Sequence, residues 1–326
     1  MGNNMCKKDL DEHGNVTVSG GGSITPERKF FGIKQIEIER DGAGKPNEEE
    51  AVRLEGVNID DLIYPNIKEI LEERGYKEGI FLQIAENEDT FKGIFRYSGS
   101  NEVYEGQFDA KGLKHGLGRQ VWPDGNYYEG QFIHGRIEGI GRLVNTNLEI
   151  YEGEWRDSMA AGEGIFTFQS GVVYKGGFEA NEPHGFGQEE WPDGTSFTGH
   201  FQNGKKNGKG AFKWLDGSKY EGEFIDDEFC GQGLYVWPDG RFYRGAFLAN
   251  KMHGHGEFHW PNGQVFIGEY KEDLKDGPGE FRWVNNYVFK GNYVGGKKEG
   301  EGIVTSPEGQ VRKGTWKNDG LVKWLD

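Results

Sequence analysis

Cysteine is almost absent from this chain, with Cys6 and Cys230 the two residues of that type among 326. Two thiols cannot build a disulfide framework, and no N-terminal stretch has the apolar core of a secretory signal, so a reducing, cytoplasmic setting is expected. Long hydrophobic runs are missing too. None approaches the roughly 18 apolar residues of a membrane-spanning helix, so any membrane contact must come from an anchor or a surface. Basic residues are outnumbered, 38 Lys and Arg against 54 Asp and Glu, giving a formal net charge of −16. Such a chain repels polyphosphate backbones, which argues against nucleic acid as a partner. Hydrophobic residues make up only 34% of the chain, too few for two ordinary globular cores at this length.

What is plentiful is glycine, 55 residues, together with aromatics at 14%. Ordinary glycine usage is about 7%, and no period of three suggests collagen. Both enrichments come from an internal repeat. Tyr151-Glu152-Gly153-Glu154-Trp155 and Tyr174-Lys175-Gly176-Gly177-Phe178 begin 23 residues apart, and Phe197, Tyr220, Tyr243, Phe266 and Phe289 continue the frame. Tyr104 and Tyr128 open two earlier copies, 24 apart because the loop from Asp109 to Lys114 carries one extra residue. Arg312-Lys313-Gly314-Thr315-Trp316 keeps the frame but lacks the first aromatic, which makes ten copies of this half. The other half reads Gly231-Gln232-Gly233-Leu234-Tyr235-Val236-Trp237 and then Pro238-Asp239-Gly240. Six of the nine tryptophans, Trp122, Trp191, Trp214, Trp237, Trp260 and Trp283, share one repeat position.

Each half alternates with period two, the pattern of a strand. Tyr220, Gly222 and Phe224 fall on one face, and Glu221 and Glu223 on the other. Trp-Pro-Asp-Gly supplies a turn, since proline presets φ and glycine accepts the left-handed conformation. The unit is therefore strand, loop, strand, turn. Glycines facing aromatics leave flat space on which rings from neighbouring strands can lie. Most of these rings are expected to serve internal packing, because they dominate the burial open to so thin a fold.

With these motifs the chain resembles the MORN repeat family, the membrane occupation and recognition nexus proteins. The resemblance covers residues 104 to 318, with a degenerate lead-in from about residue 79 through Phe81 and Lys92-Gly93-Ile94-Phe95. The copies depart from the pattern at Asn145 and Ser306, which stand for the tryptophan, and at Arg312. The expected fold is all-β: an elongated single-layer antiparallel meander of about ten tandem 23-residue hairpins, with a small N-terminal strand and helix region.

Four segments follow. Residues 1–28 read as a flexible tail around Ser19-Gly20-Gly21-Gly22-Ser23. Residues 29–78 form a cap region with a strand over 30–40 and a helix over Pro65 to Arg74. Pro65 suits its first position, Ile67, Ile70 and Leu71 make its apolar stripe, and Gly75 follows as C-cap. This cap is expected to cover part of the aromatic face. Residues 79–103 are the lead-in, and residues 104–326 are the array. Met1-Gly2-Asn3-Asn4-Met5-Cys6 resembles a myristoylation site after Met removal, with Cys6 in place of the usual Ser or Thr and itself a palmitoylation candidate.

No catalytic constellation stands out, and neither a cofactor nor a small-molecule substrate is expected. His115, His184 and His253 share a repeat position, but three repeats separate neighbours by roughly 30 Å of sheet, too far for a common metal ion. Gly231-Gln232-Gly233 lies inside a hairpin with no following helix, which excludes a phosphate loop. The chain reads as a non-enzymatic scaffold. The family resemblance implies protein partners in a ciliary or flagellar axoneme or the cortical cytoskeleton. It also implies an alternative, a membrane adaptor that binds phosphoinositides or tethers membranes, which acylation at Gly2 and Cys6 would anchor. The candidate docking groove is the row Trp191, Trp214, Trp237, Trp260 and Trp283. The candidate anionic-lipid strip is Lys205, Lys206, Lys209 and Lys213, joined by Lys297 and Lys298.

Overall fold

The computed structural model describes residues 51–73 and 91–325. Those within Lys29–Pro192 and Phe201–Gly204 form one compact unit, and those within Asp193–His200 and Lys205–Asp326 form another. Among the described residues, twenty-two strands follow one another as an open antiparallel meander. The expected all-β hairpin array is what forms. The expected strand over 30–40, Gly75 and Phe81 lie outside the described residues.

The repeat is a seven-residue strand and a nine-residue strand, such as Lys219–Ile225 and Glu228–Val236. Tyr220 pairs with Tyr235 and Gly222 with Gly233, but Glu223 pairs with Cys230, so Gly231 and Gln232 bulge out of the ladder. Gly231 has φ +67°, which explains why the first residue of each glycine pair is glycine. The second glycine has a different reason. A Cβ on Gly233 would lie 2.6 Å from Tyr220 Cε2 and from its hydroxyl, and one on its cross-strand partner Gly222 would collide with the same hydroxyl and sit 2.7 Å from Gly233 Cα. Tyr220 folds flat across this Gly222–Gly233 pair, and its hydroxyl donates to the Glu223 carbonyl at 3.0 Å. The ring thus sits two residues back from one glycine of each pair and lies across the other on the neighbouring strand, as the pattern suggested. The tether needs a protonated phenol, and burial first, then the Glu223 charge, push the Tyr220 pKa far above its ordinary value.

Neighbouring repeats meet through these rings. Tyr104, Phe132, Tyr128, Trp155, Tyr151, Phe178, Tyr174 and Phe201 contact one another in that order, edge to face, with centroids 4.9–5.4 Å apart. In the other unit Phe197, Phe224, Tyr220, Phe247, Tyr243 and Tyr270 continue the same arrangement at 5.1–5.2 Å. Edge-to-face pairs contribute about 0.5–1.5 kcal/mol each beyond burial. A layer of mutually packed rings therefore replaces a core of aliphatic side chains.

The two turns of the repeat differ. At Trp237-Pro238-Asp239-Gly240 the Gly240 N–H donates to the Trp237 carbonyl at 3.0 Å and Gly240 has φ +88°, the expected turn. The loop inside each hairpin after the first is tighter than the sequence suggested. It has two residues, both left-handed, including Asp226-Asp227, Ala249-Asn250 and Glu272-Asp273. Its second residue reaches back to the previous repeat: the Asn250 N–H donates to the Phe229 carbonyl at 3.1 Å, and Asn250 Oδ1 accepts from the Phe229 N–H at 2.8 Å. Asp227 with Lys206, Asp273 with Met252 and Asp319 with Lys298 repeat this reciprocal pair at the same 21-residue offset. These two bonds offset the cost of a left-handed non-glycine residue, of order 1–2 kcal/mol.

The lead-in strand Phe91–Tyr97 aligns Gly93 with Gly106 and Phe95 with Tyr104, so it is the second half of a repeat. Ahead of it a 3-10 turn, Ile59–Leu62, precedes the helix Pro65–Glu73. Ile59, Ile63 and Ile67 pack on Val103, Val121, Tyr127, Val144 and Ile150. Val103, Tyr127 and Ile150 sit one position before the ring-bearing Tyr104, Tyr128 and Tyr151, and Val121 and Val144 pair with them across the strands, so the helix covers the opposite face of the sheet. This overturns the expectation that the cap lies on the aromatic face. An ion pair between Arg119 and Asp60, 2.6 Å, fixes the turn to the same surface.

Candidate functional site

A second row of rings runs beside the buried ladder within residues 205–325. Phe212 stacks on Trp214 at 4.5 Å, and the row continues through Tyr235, Trp237, Phe258, Trp260, Phe281 and Trp283, with successive centroids 4.4–5.7 Å apart. Each tryptophan lies one residue past the end of its strand and two beyond a ladder-facing aromatic, so the alternation aims it at the same face, at the edge carrying the longer turns.

The residue clasped by the 21-residue pairing fills the space between the rows. Phe229 lies flat on Tyr220 at 3.7 Å. Where that position is lysine, the ammonium sits over ring faces instead. Lys275 Nζ is 5.1–5.4 Å from the Trp260, Phe266 and Phe281 centroids, and Lys298 Nζ is 5.0 Å from Trp283 and 5.2 Å from Phe289. Burial draws the Lys298 ammonium below its ordinary pKa, against the opposing pull of Asp319.

The candidate residues are not equivalent. Trp214, Trp260 and Trp283 are half-buried, whereas Trp237 is only 6% exposed, with the Arg241 guanidinium 5.7 Å from its ring. Trp191 is half-buried and belongs to the other compact unit. Beside Trp214 and Trp283 the turn residues Leu215 and Val284, which take the place of proline, stand 57% and 59% exposed. Flanking apolar groups at an open edge were a readable signal that the tryptophan position alone did not convey.

The lysine strip does not assemble as four equals. Lys206 points to the aromatic face, 3% exposed, with Nζ 5.0 Å above the Phe197 ring and 3.8 Å from Asp227. Alternation separates it from exposed Lys205, Lys209 and Lys213, and Lys205 lies 3.9 Å from Asp226. Lys297 is half-buried, and Lys298 is held over the rings. Gly2 and Cys6 lie outside the described residues. His184 bonds Glu179 at 3.3 Å, while His115 lies beside His134, a residue the position-by-position reading passed over.

Comparison with known proteins gives one close correspondence and several distant ones. The MORN repeat model matches nine consecutive segments, from residues 104–127 through 289–311. The tenth copy is visible in the structure, where Gly314 pairs with Gly302 in frame. Among solved structures, the SAS-4 (dCPAP) TCP domain of Drosophila melanogaster, in complex with a proline-rich motif of Ana2, is 18% identical. That match covers 48% of this chain and 85% of that one at a TM-score of 0.31. A mutant TCP10 domain of Danio rerio CPAP is 13% identical over 65% of this chain and 93% of that one, TM-score 0.34. Virginiamycin B lyase from Staphylococcus aureus is 14% identical over 71% and 72%, TM-score 0.14. The glycine pairs, the rings laid over them and the turns at their fixed offsets are the features the matched segments share, and this chain belongs to the MORN repeat family.

Proposed function

We propose that the array is a non-enzymatic scaffold that docks a helix or extended segment of a partner protein along the tryptophan edge of residues 205–325. The observation that carries this reading is the unequal burial of the two ring rows. The ladder is closed on itself, with Tyr220, Phe224 and Tyr243 at 0–1% exposure, whereas Trp214, Trp260 and Trp283 are only half-buried, the first and last of them beside exposed Leu215 and Val284. Rigid rings already held by their neighbours lose little entropy on binding, which makes them effective anchors. Trp237 serves as packing between them.

The proposal extends to place: a ciliary or flagellar axoneme, or the cortical cytoskeleton, where repeat arrays bridge components. An acylated membrane adaptor is the second reading, carried by Gly2 and Cys6. The burial of Lys206 weakens its lipid-strip element. Photocrosslinkers placed at Leu215 and Val284, and separately at exposed Glu221 on the opposite face, test the docking edge in native complexes. Partner peptides crosslinked from the first two positions and not from the third are expected. Crosslinks confined to the opposite face or to residues 1–78 would reduce the repeats to a spacer. Liposome flotation of the Gly2→Ala variant tests the membrane reading.

A further inference from the structure

The first repeat differs from all others by its five-residue loop, and that loop gathers a group of side chains that the tryptophan edge does not use. Asp109, His115 and His134 each offer a ligand atom, and the three atoms lie within 4.8 Å of one another. Their convergence follows from the repeat geometry. Where the position of His115 holds a carboxylate in another copy, its side chain accepts from the backbone N–H nineteen residues later, as Glu138 does from Asp157 at 2.9 Å, Asp276 from Gly295 at 3.0 Å and Glu299 from Asn318 at 3.0 Å. In the first repeat both residues of that pair are histidines. Their rings lie 5.2 Å apart, with the His134 N–H reaching only 3.5 Å toward His115 Nδ1.

The extra residue brings in the third group. Asp109 Oδ1 is held by the Lys111 and Leu113 N–H groups at 2.8 and 3.0 Å, which aims Oδ2 at His134 Nδ1, 2.9 Å away. The carboxylate is thus oriented by backbone donors, the outer support that metal-ligating carboxylates have. The Asp109 side chain is 14% exposed and that of His134 is 65% exposed, so one flank of the group opens to solvent.

We propose that Asp109, His115 and His134 bind a divalent transition-metal ion of the zinc class. Two imidazoles and one carboxylate suit this class, whereas magnesium and calcium require oxygen ligands in larger number. Ligands about 2.0–2.2 Å from a tetrahedral ion stand roughly 3.3–3.5 Å from one another. The present separations need the His115 ring to close by about 1 Å, at the expense of its long hydrogen bond to His134. The fourth position faces solvent and takes water or a partner's side chain. Bound metal ties the loop of the first repeat to the turn of the second. The alternative is a plain His–Asp hydrogen bond with no affinity for metal.

The repeats supply variants that leave the fold alone. Asn207 occupies the position of His115, and Asn203, at φ +51°, that of His134. His115→Asn and His134→Asn therefore place residues that the array already accepts, and Asp109→Asn retains the Oδ1 acceptor of the loop. The full chain, stripped with chelator, is titrated with Zn²⁺ alone, and circular dichroism in chelator verifies that the variants fold. One equivalent of Zn²⁺ is expected, not displaced by millimolar Mg²⁺. Each variant should weaken it by about a hundredfold or more, beyond the 10- to 100-fold typical of outer-shell changes. Failure of the wild-type chain to bind Zn²⁺ would overturn the proposal, and so would an equivalent that survives all three substitutions.

Discussion

Asp273 is where one substitution separates a hydrogen bond from the charge that makes it. Its Oδ1 accepts from the Met252 N–H at 2.8 Å while the side chain is only 6% exposed. Burial lifts its carboxyl pKa from 3.8 to about 6; the Met252 N–H and the Lys251 charge pull it down, and Glu272 adds to the rise. Between about pH 4 and 6 the folded chain holds a proton that the unfolded chain has released. Stability therefore falls as pH rises through that window and stays lower above it. Two pH units would correspond to about 3 kcal/mol, and solvent screening and local relaxation reduce this to about 1–2 kcal/mol. Asparagine keeps the acceptor without the charge, and Asn250 and Asn181 already fill the equivalent site with bonds of 2.8 and 2.7 Å at φ +68° and +69°. Asp273→Asn should thus raise stability by about 1–2 kcal/mol at pH 7, with the gain shrinking toward zero by pH 4. Urea unfolding midpoints at pH 4, 5, 6 and 7, with hydrogen exchange at the Met252 amide, measure it. A gain that is absent at pH 7, or constant across the series, would refute the reasoning.

Two further outcomes follow from the packing. Gly222→Val should lower the unfolding midpoint far more than Glu221→Val, because its side chain collides with Tyr220 and the Gly233 backbone while Glu221 is exposed. Overpacking costs about 1–3 kcal/mol against about 0.5 for an exposed change, and equal midpoints would contradict the two-face assignment. Deleting residues 243–265, one whole unit, should leave a soluble chain whose circular dichroism keeps its β signal, since Phe266 can take the place of Tyr243 against Phe247's counterparts in the ladder. Loss of all β signal would show that the repeats are not independent modules.

The period and the alternation carried most of the fold, because both depend only on neighbours along the chain. Tyr220, Gly222 and Phe224 share a face by parity alone, and Pro238-Asp239-Gly240 contains its own turn mechanism. What escaped the reading depends on residues far apart in sequence. Asp226-Asp227 and Glu272-Asp273 lack the Asn-Gly signature of a two-residue turn, and what stabilises them is a donor and an acceptor 21 residues upstream. The placement of the helix was readable in principle. Val103, Val121, Tyr127, Val144 and Ile150 make an unbroken apolar run on the opposite face, whereas Glu190, Lys213, His259 and Arg282 interrupt it in later repeats. Trp237 could not be told from Trp214 by position, since its burial depends on Arg241 rather than on the repeat. The pairing of His115 with His134 likewise emerges only once the nineteen-residue offset is known.

The backward clasp also gives the array a direction in time. Lys206, Phe229, Met252 and Lys298, each near the start of a longer strand, receive their final donor and acceptor from a turn 21 residues further on. On the ribosome, at about 5–20 residues per second, a newly emerged hairpin waits roughly one to four seconds for its successor. Throughout that interval a single unlatched hairpin, with its glycine bulge and one bare ring, is the exposed front of the growing protein. Synthesis then proceeds as a ratchet, in which each arriving turn locks the unit before it, and the segment vulnerable to mispairing keeps a constant length however many repeats have already been made.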